Sequence, residues 1–439
     1  MGNEGRLDGV WVLFDLDGTL TKSEEGIWNG IRYAMGKMGR PEPDAETLWK
    51  CIGPPLIYSF QEYMGLSEEE AWKAQEIYRE RYNRIGLFEN RVYPGIRVAL
   101  RILKRHGARM GIVSGKPEGA SRRILEHFGL LQHFEVIRCA TDGHAEKDEL
   151  IREAVPDPSA KIWMVGDRKF DMEGGCKAGA HTLGVTYGYG SEEELQESGA
   201  ERIAHTPREI AEILCPGAET PEGFFLSMEG LDGSGKGTQL ERLTDALERY
   251  GFEVRLSREP GGTAIGEKIR EILLDPANAE MTPETEALLY AASRAQHVRE
   301  VIRPAVREGR VMLCDRFLDS SAAYQGGGRE LGVDQVLALN APAVDGTLPF
   351  LTVFLDIDHR ASLARRLKAA EPDRMEREKE DFHARVEDAY HRLVSLNPER
   401  YLVIDAAGDR EEIAREIADK VLARLMETEK RMDDSCIRS

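Results

Sequence analysis

Phe224-Phe-Leu-Ser-Met-Glu-Gly-Leu-Asp-Gly-Ser-Gly-Lys-Gly-Thr238 runs from an apolar stretch through a glycine-rich turn into the start of a helix. The apolar stretch at 224–228 is the pattern of a strand buried on both faces of a sheet. The turn fits G-x-x-x-x-G-K from Gly230 to Lys236. Glycines that tolerate unusual dihedrals aim the backbone N–H groups of such a loop at a polyphosphate held on the helix N-terminus. Gly230, Asp232, Gly233, Ser234, Gly235, Lys236, Gly237 and Thr238 are therefore candidate nucleotide-binding residues, and Lys236 is placed to neutralise β- and γ-phosphates. Gly237 stands where many such loops carry a hydroxyl for magnesium, and the hydroxyl comes one residue later at Thr238. Direct contact between loop and magnesium is left open, with Asp232 a candidate to help through water.

Working outward, further apolar runs at 311–314 and 351–355 alternate with helical periodicity, which makes residues 223–439 an α/β domain. Upstream, Cys215-Pro-Gly-Ala-Glu-Thr-Pro-Glu-Gly combines turn formers with no apolar period, so residues 215–222 read as a linker. Residues 1–214 repeat the layout without repeating a motif: runs at 10–14, 110–113 and 162–165 are each followed by small or acidic residues. Both halves are thus expected to be doubly wound parallel-sheet domains, the first with a helical, aromatic-rich cap over about residues 23–91. The polar residues after about 428 are expected to fray.

A chain of 439 residues exceeds what one hydrophobic core supports, which agrees with two domains. No apolar run approaches the roughly 20 residues that span a bilayer, and residues 1–9 lack a cleavable signal pattern, so a cytoplasmic protein is expected. The 6 cysteines show no C-x-x-C spacing, which argues against a zinc site or a disulfide framework. A net charge of -19 repels nucleic-acid backbones, so small phosphorylated metabolites are the expected partners, with neither nucleic acid nor membrane.

In the first half, Asp15 and Asp17 close the run at 10–14, Ser114 follows that at 110–113, and Asp167 and Asp171 follow that at 162–165, with Lys147 between. A carboxylate attacks a phosphoryl group only when a cation offsets the repulsion of two anions, so such sites gather acids around magnesium. Taken singly, each residue is as readily a turn former. Taken in order, Phe-Asp-Leu-Asp-Gly-Thr-Leu, Val-Ser-Gly-Lys-Pro, Glu-Lys-Asp and Val-Gly-Asp-Arg-Lys-Phe-Asp resemble the motifs of the haloacid dehalogenase superfamily over residues 10 to about 210. The resemblance implies a Rossmann-like fold in which Asp15 forms an aspartyl-phosphate and Asp17 protonates the leaving oxygen and then activates water. It also implies that Ser114 and Lys147 hold the phosphate, while Asp15, the backbone carbonyl of Asp17, and Asp167 bind Mg2+ with Asp171 in support. Asp17 favours a phosphatase within the superfamily. The cap sequence resembles the phosphoglycolate phosphatase and 5'-nucleotidase branch, so nucleoside monophosphates and phosphoglycolate both stay open as the unidentified phosphomonoester, as does a catalytically silent module.

In the second half, Ser257-Arg-Glu-Pro-Gly-Gly-Thr, Leu288-Leu-Tyr-Ala-Ala-Ser-Arg-Ala-Gln-His and Asp315-Arg-Phe-Leu-Asp-Ser-Ser-Ala-Ala-Tyr-Gln-Gly resemble thymidylate kinases over residues 223 to about 426. A monophosphate acceptor must be held in line with the donor, and planar arginine forks do this best. Arg258, Arg294 and Arg316 are the candidates, with Asp315 placed to orient them or the metal. Tyr290 lies one helical turn before Arg294 and shares its face. The resemblance implies a P-loop nucleoside monophosphate kinase fold, ATP as donor, dTMP as acceptor, a Tyr290 ring stacked on thymine, and Ser320, Ser321, Tyr324 and Gln325 reading base and sugar. It also implies a homodimer. Ser293 departs from the aspartate expected before Arg294, and the Gly-Lys-Gly-Thr order, shared with adenylate kinases, leaves another nucleoside monophosphate open as acceptor. The segments Arg365-Arg-Leu-Lys and Asp373-Arg-Met-Glu-Arg-Glu resemble the family's lid, with Arg374 the first candidate for a closing charge and Arg377 the second.

Overall fold

The computed structural model describes residues 6–140, 146–366, 374–375 and 378–437, with the backbone alone for Arg366 and residues 434–437. Leu367, Lys368, Asp373 and Arg377 lie outside the described residues. The chain divides into two compact units. The first comprises residues 1–219, 248–252 and 428–439, and the second residues 220–247 and 253–427.

The strands of the first unit are β1 (Val10–Phe14), β2 (Thr21–Lys22), β3 (Arg91–Val92), β4 (Arg109–Ser114), β5 (Val136–Cys139), β6 (Lys161–Gly166), β7 (His181–Val185) and β8 (Arg202–Ala204). Six of them form one sheet in the order β5-β4-β1-β6-β7-β8. Every pairing in that sheet is parallel. Alternate residues of β1 serve opposite faces: Val12 and Phe14 join the core on one side, Trp11 and Leu13 that on the other. A strand covered on both faces has no room for a polar side, which is why its sequence is a continuous apolar run. β1 lies at the sheet's centre, where connections leave in both directions, and its carboxyl end opens into the crevice in which such sheets bind ligands. β2 and β3 pair antiparallel. Between them lie the helices Glu24–Lys37, Ala45–Lys50, Leu56–Glu62 and Glu68–Arg81, the last running into a wider turn at Tyr82–Gly86.

The second unit holds β9 (Phe224–Gly230), β10 (Val254–Arg258), β11 (Val311–Asp315), β12 (Leu351–Asp356) and β13 (Tyr401–Asp405). They form a parallel sheet in the order β10-β11-β9-β12-β13, again with the motif-bearing strand at its centre. β9 is buried along its whole length, whereas the edge strand β10 is half exposed. The final helix continues from Arg410 to Ile437, past the point at about 428 beyond which fraying is expected. No helix among the described residues is long and apolar enough to cross a membrane.

Candidate functional sites

In the first unit, two strand ends bring the predicted acids together. Asp15 stands just past β1, with its backbone N–H donating to Val165 O at 3.0 Å. Asp167 and Asp171 follow β6, and Asp15, Asp167 and Asp171 each offer an oxygen within 4.8 Å of the others. Lys147 closes the group, its Nζ lying 2.6 Å from both Asp15 Oδ1 and Asp171 Oδ1. Burial pushes the Asp15 carboxyl up to about 6; Lys147 pulls it down and Asp171 adds to the rise. Burial, and then Asp171 and Asp15, likewise hold Asp167 well above the usual carboxylate range. Crowded, partly desolvated acids of this kind seek a cation, and an all-oxygen donor set suits a hard one such as Mg2+.

Two glycines shape the cradle. Gly18 sits at φ +87°, and a Cβ there would meet Asp167 Oδ2 at 2.1 Å; at Gly188 it would meet Asp167 Cβ at 2.4 Å. Asp167 is further held by Thr19 Oγ1 at 3.1 Å and by the Tyr189 N–H at 2.8 Å. Ser114 ends β4 and is buried beside this edge. The Asp17 side chain is not one of the three clustered acids and pairs with Lys116, Nζ to Oδ2 3.0 Å. Its other oxygen, Oδ1, is buried with no hydrogen-bond partner among the described residues. Sequence reasoning had not singled out Lys116, Thr19 or Tyr189. Lys116 lies inside the quoted Val-Ser-Gly-Lys-Pro, and only the fold reveals which acid it meets.

In the second unit the loop after β9 opens on a cavity of about 900 Å3. Asp232, Gly233, Ser234, Gly235, Lys236, Gly237 and Thr238 line one part, and Arg258, Tyr290, Arg294, Asp315, Arg316, Ser320, Ser321, Tyr324 and Gln325 line another. Gly230, Gly233 and Gly235 take φ of +142°, +92° and +97°, the backbone such a loop requires. Lys236 is buried, with Nζ donating to Gly230 O at 3.0 Å and Leu231 O at 2.9 Å. Burial, then Arg316, lowers its pKa to about 8 against the pull of Asp232. Arg316, itself at φ +67°, pairs with Asp232 and donates to Ser320 Oγ at 3.0 Å. Tyr324 OH donates to the other Asp232 oxygen at 2.9 Å. Burial works to raise the Asp232 carboxyl, but Arg316 and Lys236 overcome it and hold it well below its usual range. Two buried oxygens of residues lining this cavity, Asp315 Oδ1 and Ser234 Oγ, have no partner among the described residues, which fits a site that can take a metal and phosphate oxygens.

The arginines differ. Arg258 is about half exposed and rests on Glu267 at 2.9 Å, free to be exchanged. Arg294 is only 1% exposed, which rules out a solvated surface charge. It donates to Glu259 Oε2 at 2.8 Å, Phe317 O at 3.1 Å and Ser321 Oγ at 3.0 Å, and also to Asn340. The supporting ion pair thus comes from Glu259, while Ser293 Oγ accepts the Gly261 N–H at 3.2 Å. Arg374 is buried against Glu286, Nη2 to Oε2 2.7 Å, and donates from Nε to Leu273 O at 2.8 Å. It is not among the described residues that line the cavity, whereas Arg365 and Arg410 are. Glu286, which the sequence did not flag, is fully buried and also accepts from Gln325 Nε2 at 2.9 Å and from Arg329. A lone glutamate on a helix carries no local signal of such a role.

Known proteins divide the chain the same way. Residues 12–185 match the family model for haloacid dehalogenase-like hydrolases, and residues 228–417 that for thymidylate kinases. Thymidylate kinase from Halothermothrix orenii is 50% identical over 203 residues, covering 45% of this chain and 96% of that protein. The Lactobacillus acidophilus enzyme is 45% identical over 210 residues, covering 47% and 97%. Among solved structures, one described as a predicted phosphatase from Clostridium acetobutylicum is 40% identical, with a TM-score of 0.44, and covers 47% of this chain and 97% of that one. With relatives matched over nearly their whole length, the chain belongs to the thymidylate kinase family through its second half, and its first half is a haloacid dehalogenase-like hydrolase domain.

Proposed function

We propose that the protein is a bifunctional enzyme in which the second unit transfers the γ-phosphoryl group of ATP to dTMP and the first hydrolyses a small phosphomonoester through an aspartyl-phosphate. For the kinase, the observation that carries the reading is a single cavity joining the loop residues 232–238 to Arg258, Tyr290, Arg294 and Arg316. Lys236 takes the β- and γ-phosphates, and Arg316, locked between Asp232 and Ser320, is fixed where the transferring group passes. Arg258 gives up Glu267 for the acceptor phosphate, while Arg294 shapes the floor beneath it. The half-buried Tyr290 ring on the same helix receives the base, with Gln325, Tyr324 and Ser321 along its edge. Closing charge comes from Arg365 and Arg410, and from Arg374 once it leaves Glu286. Asp315, with its unpartnered buried oxygen, is the residue to hold Mg2+ beside the phosphates.

For the phosphatase, the carrying observation is Lys147 between Asp15 and Asp171 with Asp167 alongside. Asp15, Asp167 and the Asp17 carbonyl would hold Mg2+, with Asp171 in support, and the ion supplies the charge that lets one anion approach another. The Asp15 carboxylate attacks phosphorus, Lys147 and Ser114 hold the phosphoryl oxygens, and Asp17 gives its proton to the leaving oxygen. Asp17 then takes a proton from the water that cleaves the acyl-phosphate. Nucleoside monophosphates and phosphoglycolate are the first substrates to screen.

The test is a panel. ATP with each nucleoside monophosphate should give diphosphate fastest from dTMP, and equal or faster transfer to AMP or CMP would overturn the acceptor assignment. The same chain should release phosphate from at least one small phosphomonoester, and release from none would remove the phosphatase.

A further inference from the structure

Lys116 lies beside the phosphatase machinery but outside the roles assigned above. It follows the end of β4 by two residues and is nearly buried, with a side-chain exposure of 9%. Its Nζ is 3.0 Å from Asp17 Oδ2 and donates to Tyr82 OH at 2.6 Å. The ammonium also lies over the Tyr82 ring, 4.8 Å from its centroid. Tyr82 belongs to the helical segment between β2 and β3, and its ring stacks on Tyr78 at 5.0 Å and 18°. Tyr78 is itself seated against Gly30, where a Cβ would meet the ring at 2.5 Å. One cation therefore bridges this segment and the acid-base carboxylate.

We infer that Lys116 is a positioning residue for the phosphatase reaction: held by Tyr82, it occupies Oδ2 of Asp17 and thereby leaves Oδ1 as the oxygen that exchanges a proton with the reacting groups. The inference rests on the hydrolytic reading of the first unit. Two observations converge on it, because the oxygen opposite Lys116 is also the one that is buried and without a partner. Without Lys116 the carboxylate is free to rotate about its χ2, and the productive oxygen is no longer selected. In the first half-reaction the P–O bond to the leaving group breaks as the bond to Asp15 forms, and the Asp17 proton passes to the departing oxygen. A residue that positions this acid matters in proportion to how much the leaving group needs a proton.

That dependence provides the test, carried out on the full chain. Values of kcat/KM, which report on steps through leaving-group departure, are measured for p-nitrophenyl phosphate, whose phenolate leaves unaided, and for an alkyl phosphate, whose alkoxide does not. Lys116→Met should lower kcat/KM for the alkyl ester at least roughly tenfold more than for the aryl ester, within the range that proton transfer contributes to such reactions. Lys116→Arg should recover part of that difference. Tyr82→Phe, which keeps the ring and removes the hydroxyl, should show the same bias to a smaller degree. Equal losses on both esters in Lys116→Met and Tyr82→Phe would overturn the inference. If Lys116→Met melts at a lower temperature and yields little folded protein, the bias in Tyr82→Phe decides the matter alone. If the parent chain turns over neither ester, the hydrolytic reading fails first and takes the inference with it.

Discussion

Lys147 and Lys236 carry opposite electrostatic assignments. Lys147 faces Asp15 and Asp171, which outweigh its burial and raise its pKa. Lys236 donates to two carbonyl oxygens, and burial, then the Arg316 cation, lowers its pKa to about 8 against the pull of Asp232, Asp315 and Glu229. Carboxylates dominate around the first, whereas burial and a neighbouring cation dominate around the second. A phosphate arriving at Lys236 favours the charged form and raises its pKa, so ATP binding takes up a proton wherever Lys236 was partly neutral. ATP affinity should accordingly decline as pH rises through about 8. Calorimetry at pH 8.5 in buffers of different ionisation enthalpy should give an uptake of roughly half a proton or more. The uptake should vanish at pH 6.5 and in Lys236→Arg. Buffer-independent heats at pH 8.5 would show that Lys236 is already charged when free. At this scale the residue types in both sites were legible in the sequence, because phosphate chemistry restricts the choice. Their partners were not: that Asp17 meets Lys116 and Arg294 meets Glu259 depends on distances of roughly 100 and 35 positions along the chain closed by the fold.

At the level of elements, each site depends on a turn that only glycine can make. The turn after β1 brings Gly18 so close to Asp167 Oδ2 that an added methyl group would stand 2.1 Å away, at a φ of +87° that side chains avoid. Gly18→Ala should therefore displace Asp167 and weaken Mg2+ activation of the phosphatase by about 10–100-fold, the usual cost of disturbing support around a metal site. Transfer from ATP should be unchanged. A magnesium titration of p-nitrophenyl phosphate turnover checks this, and an unaltered midpoint would show that the backbone there adapts. The central strands β1 and β9 were readable as elements because both faces are covered and the sequence is uniformly apolar. Strand β10 was not, since it lies at an edge with every residue at least partly exposed and so lacks a continuous apolar run. The helical course of residues 428–437 is likewise not legible in their polar composition, which describes what a helix shows to water and not how far the helix runs.

The whole molecule carries a net charge of -19, yet both of its reactions require anions to approach anions. Each unit resolves this locally, with its own sheet, its own central motif strand and its own set of largely enclosed cations: Lys147 and Lys116 in one, Lys236 and Arg316 in the other. Nothing in the chemistry of one site requires a residue of the other. A phosphatase acting on dTMP would oppose the kinase, so the substrate of the first unit is expected to be a different phosphomonoester. The most direct measurement follows both reactions in one chain carrying either of two substitutions. Asp15→Asn should abolish phosphomonoester hydrolysis and leave dTDP formation within about twofold of the parent, and Lys236→Ala should do the reverse. Loss of both activities from either single substitution would contradict an account built on two self-sufficient phosphoryl-transfer sites.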